Sequence, residues 1–128
     1  MITLTIPEAV TSLNEHKWQH WSKQSKIRKH WSMLVLIARN QQRIFNPIPI
    51  DPAIVTITRE GYKLLDHDNL VGGACKAVLD SLREHHLIAE DSPEHLTVNY
   101  QQRKISRSEY PRTLIEIRRS GAAAPVLV

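Results

Sequence analysis

Over Met1–Ile6 apolar and polar residues alternate, and a period of two predicts a short strand. Pro7 to Asn14 reads as a loop. From Ser22 to about Arg43 the period lengthens: Ile27, Trp31, Leu34 and Ala38 step by four, three and four and so share one face of a long helix. Asn46–Pro52 carries three prolines, which are expected to end that helix and stiffen the connector. Ala53–Arg59 is rich in β-branched residues and predicts a strand that Gly61–Leu65 extends or turns. A second helix is expected from Asp68 or Asn69, both good N-cap types, to His85, with Val71, Ala74, Cys75, Val78 and Leu82 as its apolar stripe. Leu96–Gln102 alternates again, and Leu114–Arg119 reads as a last strand. Ser120–Val128 has no periodicity and reads as a frayed tail behind a domain spanning residues 1–119.

This order implies a single small α+β domain, with two main helices packed on one mixed sheet. The pattern does not reveal the strand order. A chain of 128 residues with 41% hydrophobic content suits one ordinary core. No apolar run approaches the roughly 18–20 residues needed to cross a bilayer, and the alternation at the start is unlike a signal peptide. Cys75 is the single cysteine, which excludes an intramolecular disulfide and a multi-cysteine zinc site and points to a reducing, cytoplasmic setting.

The formal charge of +4 is unevenly spread. Residues 60–94 hold eight acidic and three basic side chains, whereas the rest of the chain holds five acidic and fourteen basic ones. Basic arms around an acidic centre suit a polyanion such as nucleic acid, although a solvated surface has the same composition.

The sharpest local feature is Leu64–Leu70, LLDHDNL. If this stretch is extended, Asp66 and Asp68 point to one side and repel each other unless a cation lies between them. A hard divalent cation such as Mg²⁺, or Mn²⁺, prefers such oxygen ligands. Glu90 and Asp91 follow about twenty residues later, and an intervening helix would return them toward the same end of the sheet. Carboxylate-held cations suit phosphodiester hydrolysis because they polarise a phosphoryl oxygen, generate hydroxide near neutral pH and stabilise the leaving oxygen. The plain alternative is a pair of exposed turn aspartates and a helix cap. His67, between the aspartates, should point away from them.

His16–Trp31 interleaves Lys17, Lys23, Lys26, Arg28 and Lys29 with Trp18, Trp21 and Trp31. The cations neutralise phosphates, and tryptophans stack on unpaired bases. Trp31 lies on the apolar stripe and is expected in the core, while Trp18 and Trp21 are open to either role. Arg103, Lys104, Arg107 and Arg112 form a second basic group. His85 and His86 are expected to help close the second helix through its dipole.

D-x-D-N-L opening a helix, then Asp80-x-Leu82, then Leu87–Ile88 and Glu90–Asp91, resembles the RusA-like crossover-junction endodeoxyribonucleases. Upstream, Ser12–Leu13–Asn14 and the basic stretch resemble the family's N-terminal segment, so the likeness spans about residues 1–119. It implies a small α+β homodimer that cuts branched DNA with Mg²⁺ in recombination and repair. It also implies that Asp66, Asp68 and Asp91 bind the metal with Glu90 assisting. Asn14, Lys17, Lys23, Lys26, Arg28 and Lys29 would contact the DNA. Where the family often has lysine, four residues after the second aspartate, this chain has Gly72. Lys76 stands four residues further on, and on one helix it would share that face.

Gly72 and Gly73 lie inside the expected helix, where each costs about 1 kcal/mol relative to alanine. Two expectations arise: another backbone, from a dimer partner or a nucleic-acid strand, approaches closely there, or the helix begins later, around Ala74. Two other functions fit the chain besides a nuclease. One is a module that binds DNA junctions without cutting them. The other is a regulatory protein whose acidic patch holds a protein partner, with little of the salt dependence of counterion release.

Overall fold

The period-two segments become strands and the longer-period segments helices. The computed structural model describes residues 1–12 and 21–121. In chain order these hold β1 (Ile2–Ile6), α1 (Trp21–Gln41), β2 (Ala53–Gly61), α2 (His67–Val71), α3 (Cys75–Glu84), β3 (Leu96–Lys104) and β4 (Arg112–Arg119). Of the tail expected at 120–128, residues 122–128 fall outside the described residues, and the Ser120 amide donates to the Pro52 carbonyl at 2.8 Å. No helix among the described residues is long and apolar enough to cross a membrane.

The strands form one mixed sheet in the order β1–β4–β2–β3. β4 runs antiparallel to both β1 and β2, whereas β2 and β3 are parallel. A parallel pair needs a long crossover, and α2 and α3 supply it. Alternation then divides the sheet into two faces. Leu4, Ile6, Val55, Ile57, Ile115 and Ile117 are fully buried, while their strand neighbours Thr3, Thr5, Thr56, Thr58 and Glu116 are not. α1 packs on α3 and β1, and Trp31, Val35 and Ala38 enter the same core as Val78 and Leu82. This is the expected single α+β domain.

Two boundaries differ from the sequence expectation. α1 is closed by its own backbone rather than by the prolines. Arg43 adopts φ 57°, its amide bonds to the Asn40 carbonyl, and the Ile44 amide reaches back to the Arg39 carbonyl. This is a Schellman closure with Arg43 in the left-handed position usually taken by glycine. The expected helix from Asp68 to His85 is two helices, broken across Gly72–Ala74.

The cause of the break is a close crossing. The Ala74 amide donates to the Thr11 carbonyl at 2.9 Å. A Cβ built on Gly73 would lie 1.9 Å from that oxygen and 2.8 Å from the Ser12 carbonyl carbon. The backbone that approaches Gly73 is therefore the chain's own, and α3 begins just after Ala74, as the second of the two expectations had it. At His85 and His86 the closure is also specific. His85 is the C-cap of α3, its Nε2 lies 2.9 Å from Ser32 Oγ and 3.0 Å from the Ser32 carbonyl oxygen, and His86 takes φ 62°.

The segment Pro7–Ser12 is stapled at several points. Buried Thr113 accepts the Val10 amide through Oγ1 at 3.0 Å and donates to the Glu8 carbonyl at 2.7 Å. Arg59 Nε donates to the Val10 carbonyl at 2.9 Å. Thr113→Val keeps the shape but strands both backbone partners, and an unsatisfied buried group costs about 1–3 kcal/mol. The expected result in urea is a lower midpoint with an unchanged slope.

Cys75 is fully buried at the start of α3, and burial pushes its thiol up to about 12. At pH 8 the thiolate, the reactive form, is then a minute fraction. A disulfide reagent should leave native protein unlabelled and label one equivalent on unfolding.

Candidate metal and nucleic-acid site

β2 ends at Gly61, and the chain that follows is held in place before it reaches the aspartates. Arg59 Nη1 donates to the Lys63 carbonyl at 2.7 Å, so one guanidinium ties this segment and Val10 together. Gln102 of β3 then grips Leu65 with both ends of its amide. Its Oε1 accepts the Leu65 amide and its Nε2 donates to the Leu65 carbonyl, each at 2.8 Å. This side chain does for Leu65 what a neighbouring strand would do, one residue before Asp66.

Asp66 is the N-cap of α2, with φ −60° and ψ 155°. Its carboxylate makes no capping bond to the helix backbone and instead accepts Asn69 Nδ2 at 3.0 Å. Asp68 lies in the first helical turn. The stretch is thus not extended through Asp68, and the cap is Asp66 rather than Asp68 or Asn69. Both carboxylates are exposed, and among the described residues that of Asp68 has no hydrogen-bond or ion-pair partner. The His67 ring stands edge-on to Tyr100 of β3, 6.1 Å between centroids.

Glu90 and Asp91 have a different anchor. Asp91 lies 3.5 Å from Arg83 Nη1 and Glu90 lies 3.6 Å from His95 Nε2. His95 Nδ1 contacts Asp51 at 2.9 Å, just before β2. The hydrogen bond to Asp51 holds the His95 pKa above its ordinary value, aided by the charges of Asp51, Glu90 and Glu94. Glu90 is therefore tied to His95, just before β3, and Asp91 to Arg83. Asp66 instead follows Leu65, which Gln102 holds near the far end of β3, so the two acidic pairs do not meet at one end of the sheet as expected. Among the described residues no three His, Cys, Asp or Glu side chains are grouped to hold a metal ion. Mg²⁺ does not require such a cage, because it keeps several waters and is commonly held by one or two carboxylates with substrate phosphates. The solvent-facing, all-oxygen pair Asp66 and Asp68 fits that mode of binding.

Lys76 is exposed in the first turn of α3. Gly72 is the C-cap of α2, so the two positions are not on one continuous helix and do not share a helical face.

Of the expected DNA contacts, Asn14 and Lys17 lie outside the described residues, as do His16, Trp18 and His20. Lys23, Lys26, Arg28 and Lys29 are all exposed on α1, but on two sides of it. Lys23 and Lys26 border a groove shared with Tyr110, whereas Arg28 and Lys29 border one shared with Asp80 and Glu84 of α3. Trp31 is in the core, as expected.

Two of the C-terminal basic residues are paired. Arg103 and Arg112 stand on either side of Glu60 in the sheet register, and both donate their Nε–H groups to its carboxylate. Arg103 also faces Glu109 at 3.6 Å. The Arg103 and Arg112 hydrogen bonds hold Glu60 below its ordinary value of 4.5 despite burial. A depressed carboxyl stabilises the fold above its unfolded pKa, and this contribution is lost as pH falls through the folded value. Stability should therefore drop as acidity passes below about pH 4.5, and Glu60→Gln should flatten that drop while lowering stability at pH 7. Denaturant midpoints of both proteins across this range check it.

Gln102, Arg59 and Tyr110 belong to no motif of the sequence. A signal existed for the first two. Gln102 continues the parity of Leu96, Val98 and Tyr100, and Arg59 that of Ala53, Val55 and Ile57, so each is a long polar side chain on the core face of its strand. Tyr110 had none. No protein-family model matches the chain, and no curated protein matches it.

Proposed function

We propose that residues 1–119 form a Mg²⁺-dependent endonuclease domain of the RusA-like kind, acting in the cytoplasm as a homodimer on branched DNA such as four-way junctions. The observation that carries this reading is the presentation of Asp66 and Asp68. A turn locked by Gln102 and Arg59 delivers two solvent-facing carboxylates, one oriented by Asn69 and one unpaired among the described residues. Asp66 and Asp68 would hold Mg²⁺ together with phosphate oxygens, while Asp91 and Glu90, engaged by Arg83 and His95 and not grouped with them, would stand outside that set. When bound, the cation supplies polarisation of the scissile phosphate and stabilisation of the leaving oxygen. Lys23, Lys26, Arg28 and Lys29 neutralise the phosphates of the duplex arms, with Asn14 and Lys17 extending that contact. Lys76 would offset charge on the phosphate under attack. A two-fold dimer would offer equivalent sites to two symmetric strands.

The test is a labelled four-way junction beside a matched linear duplex, each with Mg²⁺, with Mn²⁺ and with EDTA. Paired, metal-dependent nicks in the junction alone are the expected result. Binding without nicks under either metal would sink the nuclease reading and favour a junction-binding module. Gly72, in the position where the resemblance leads one to expect lysine, is the residue that motivates that second reading.

A further inference from the structure

A groove of 810 Å³ opens along the side of α1 that carries Lys23 and Lys26. α1 contributes Ile27, His30 and Trp31 to its lining, and the β3–β4 connection contributes Tyr110 and Pro111. The volume lies within the roughly 300–1,000 Å³ of small-molecule sites. Tyr110 is 87% exposed, an unusual setting for so large a ring. Its loop is nevertheless held on the sheet: Tyr62 Oη donates to the Glu109 carbonyl at 2.9 Å, and Arg103 faces the Glu109 carboxylate. The ring is thus exposed on an anchored connection.

The charges around the groove are one-sided. Lys23 and Lys26 border it, and its one described carboxylate, Glu8, is joined to His30 Nε2. An aromatic ring, an apolar wall and two lysines suit a flat heteroaromatic group attached to a phosphate. We infer that this groove takes an unpaired nucleotide, with its base against Tyr110 and its phosphate near Lys23 and Lys26. The inference rests on the nucleic-acid reading above and adds what duplex phosphates alone do not require, a seat for a base that has left its stack. The Glu8–His30 pair lines the same groove and offers polar atoms to the edge of that base.

The probes are fluorescein-labelled oligothymidylate and a fully paired duplex of equal length, titrated by anisotropy with the wild-type chain, Tyr110→Ala and Tyr110→Phe. Loss of one stacking contact weakens binding by about 5- to 150-fold. Tyr110→Ala should show such a loss for oligothymidylate and little change for the duplex, and Tyr110→Phe should restore affinity. Because Tyr110 is exposed, the melting temperatures of all three should agree. No oligothymidylate binding by the wild-type chain, or equal binding by Tyr110→Ala, overturns the inference. If the wild-type chain nicks junctions and Tyr110→Ala binds normally, only the base seat is lost. If Tyr110→Ala loses oligothymidylate binding and the wild-type chain never nicks, the seat stands and the nuclease reading falls.

Discussion

Gly73→Ala is expected to destabilise the fold by about 3–5 kcal/mol, at the upper end of what one substitution does. In an ordinary helical position the same change would stabilise, since alanine is the better helix former by about 1 kcal/mol. The sign reverses here because of what the methyl would meet. The obstacle is backbone, the Thr11 carbonyl oxygen at 1.9 Å and the Thr11 and Ser12 carbonyl carbons just beyond, so no side-chain rotation relieves the overlap. The segment around Thr11 cannot retreat cheaply either. Thr113 and Arg59 hold it one residue away at Val10, and the Ala74 amide holds it at Thr11 itself. Relief requires breaking at least the Ala74–Thr11 bond or moving α3, whose Cys75, Val78 and Leu82 are fully buried. Urea denaturation measures the effect. A midpoint equal to or above that of the wild-type chain would show that the crossing is not a tight one.

Asp68→Asn is expected to abolish metal-dependent nicking, a fall of roughly 100-fold or more, while leaving stability unchanged. The two halves of this expectation have separate causes. Asn matches Asp in shape, and the Asp68 carboxylate is exposed with no partner among the described residues, so its loss costs the fold nothing. The removed charge, by contrast, is one of two on the proposed cation site, and Mg²⁺ prefers anionic oxygen to amide oxygen when only one or two protein ligands bind it. Asp66→Asn is a less clean probe, because Asp66 also accepts Asn69 at the start of α2. Junction cleavage, thermal melting and Mn²⁺ binding followed by electron paramagnetic resonance separate the cases. Full cleavage by Asp68→Asn would end the metal assignment. Weakened Mn²⁺ binding without any wild-type cleavage would keep the cation site and end the nuclease reading.

Much of the architecture was legible because strand and helix periods are local. Ile2–Ile6, β2 and β4 follow from alternation and β-branched residues, and α1 from the stepping of Ile27, Trp31, Leu34 and Ala38. The end of α1 was legible only in part. Prolines forbid a helix beyond Asn46, but the stop at Gln41 comes from a left-handed Arg43, a conformation no propensity scale assigns to arginine. The candidate site was legible as residue types rather than as geometry. Asp66, Asp68, Glu90 and Asp91 stand out by charge and spacing, yet Gln102, which fixes Leu65 beside the first pair, and Asp51, which holds the His95 that meets Glu90, lie far away in sequence.

By itself, then, the sequence determined the elements, the core stripe with Trp31 in it, the burial of Cys75 and the identity of the acidic and basic groups, since each depends on neighbours within a few residues. Tertiary structure decided three things that depend on segments distant in the chain. It broke the second helix at Gly72–Ala74, because Thr11 crosses there. It turned Asp66 into a helix cap rather than a residue of an extended strand, because Gln102 fixes Leu65 before it. It also divided Lys23 and Lys26 of α1 from Arg28 and Lys29, placing them on two grooves, because α3 lines one side of that helix and the Tyr110 loop lines the other.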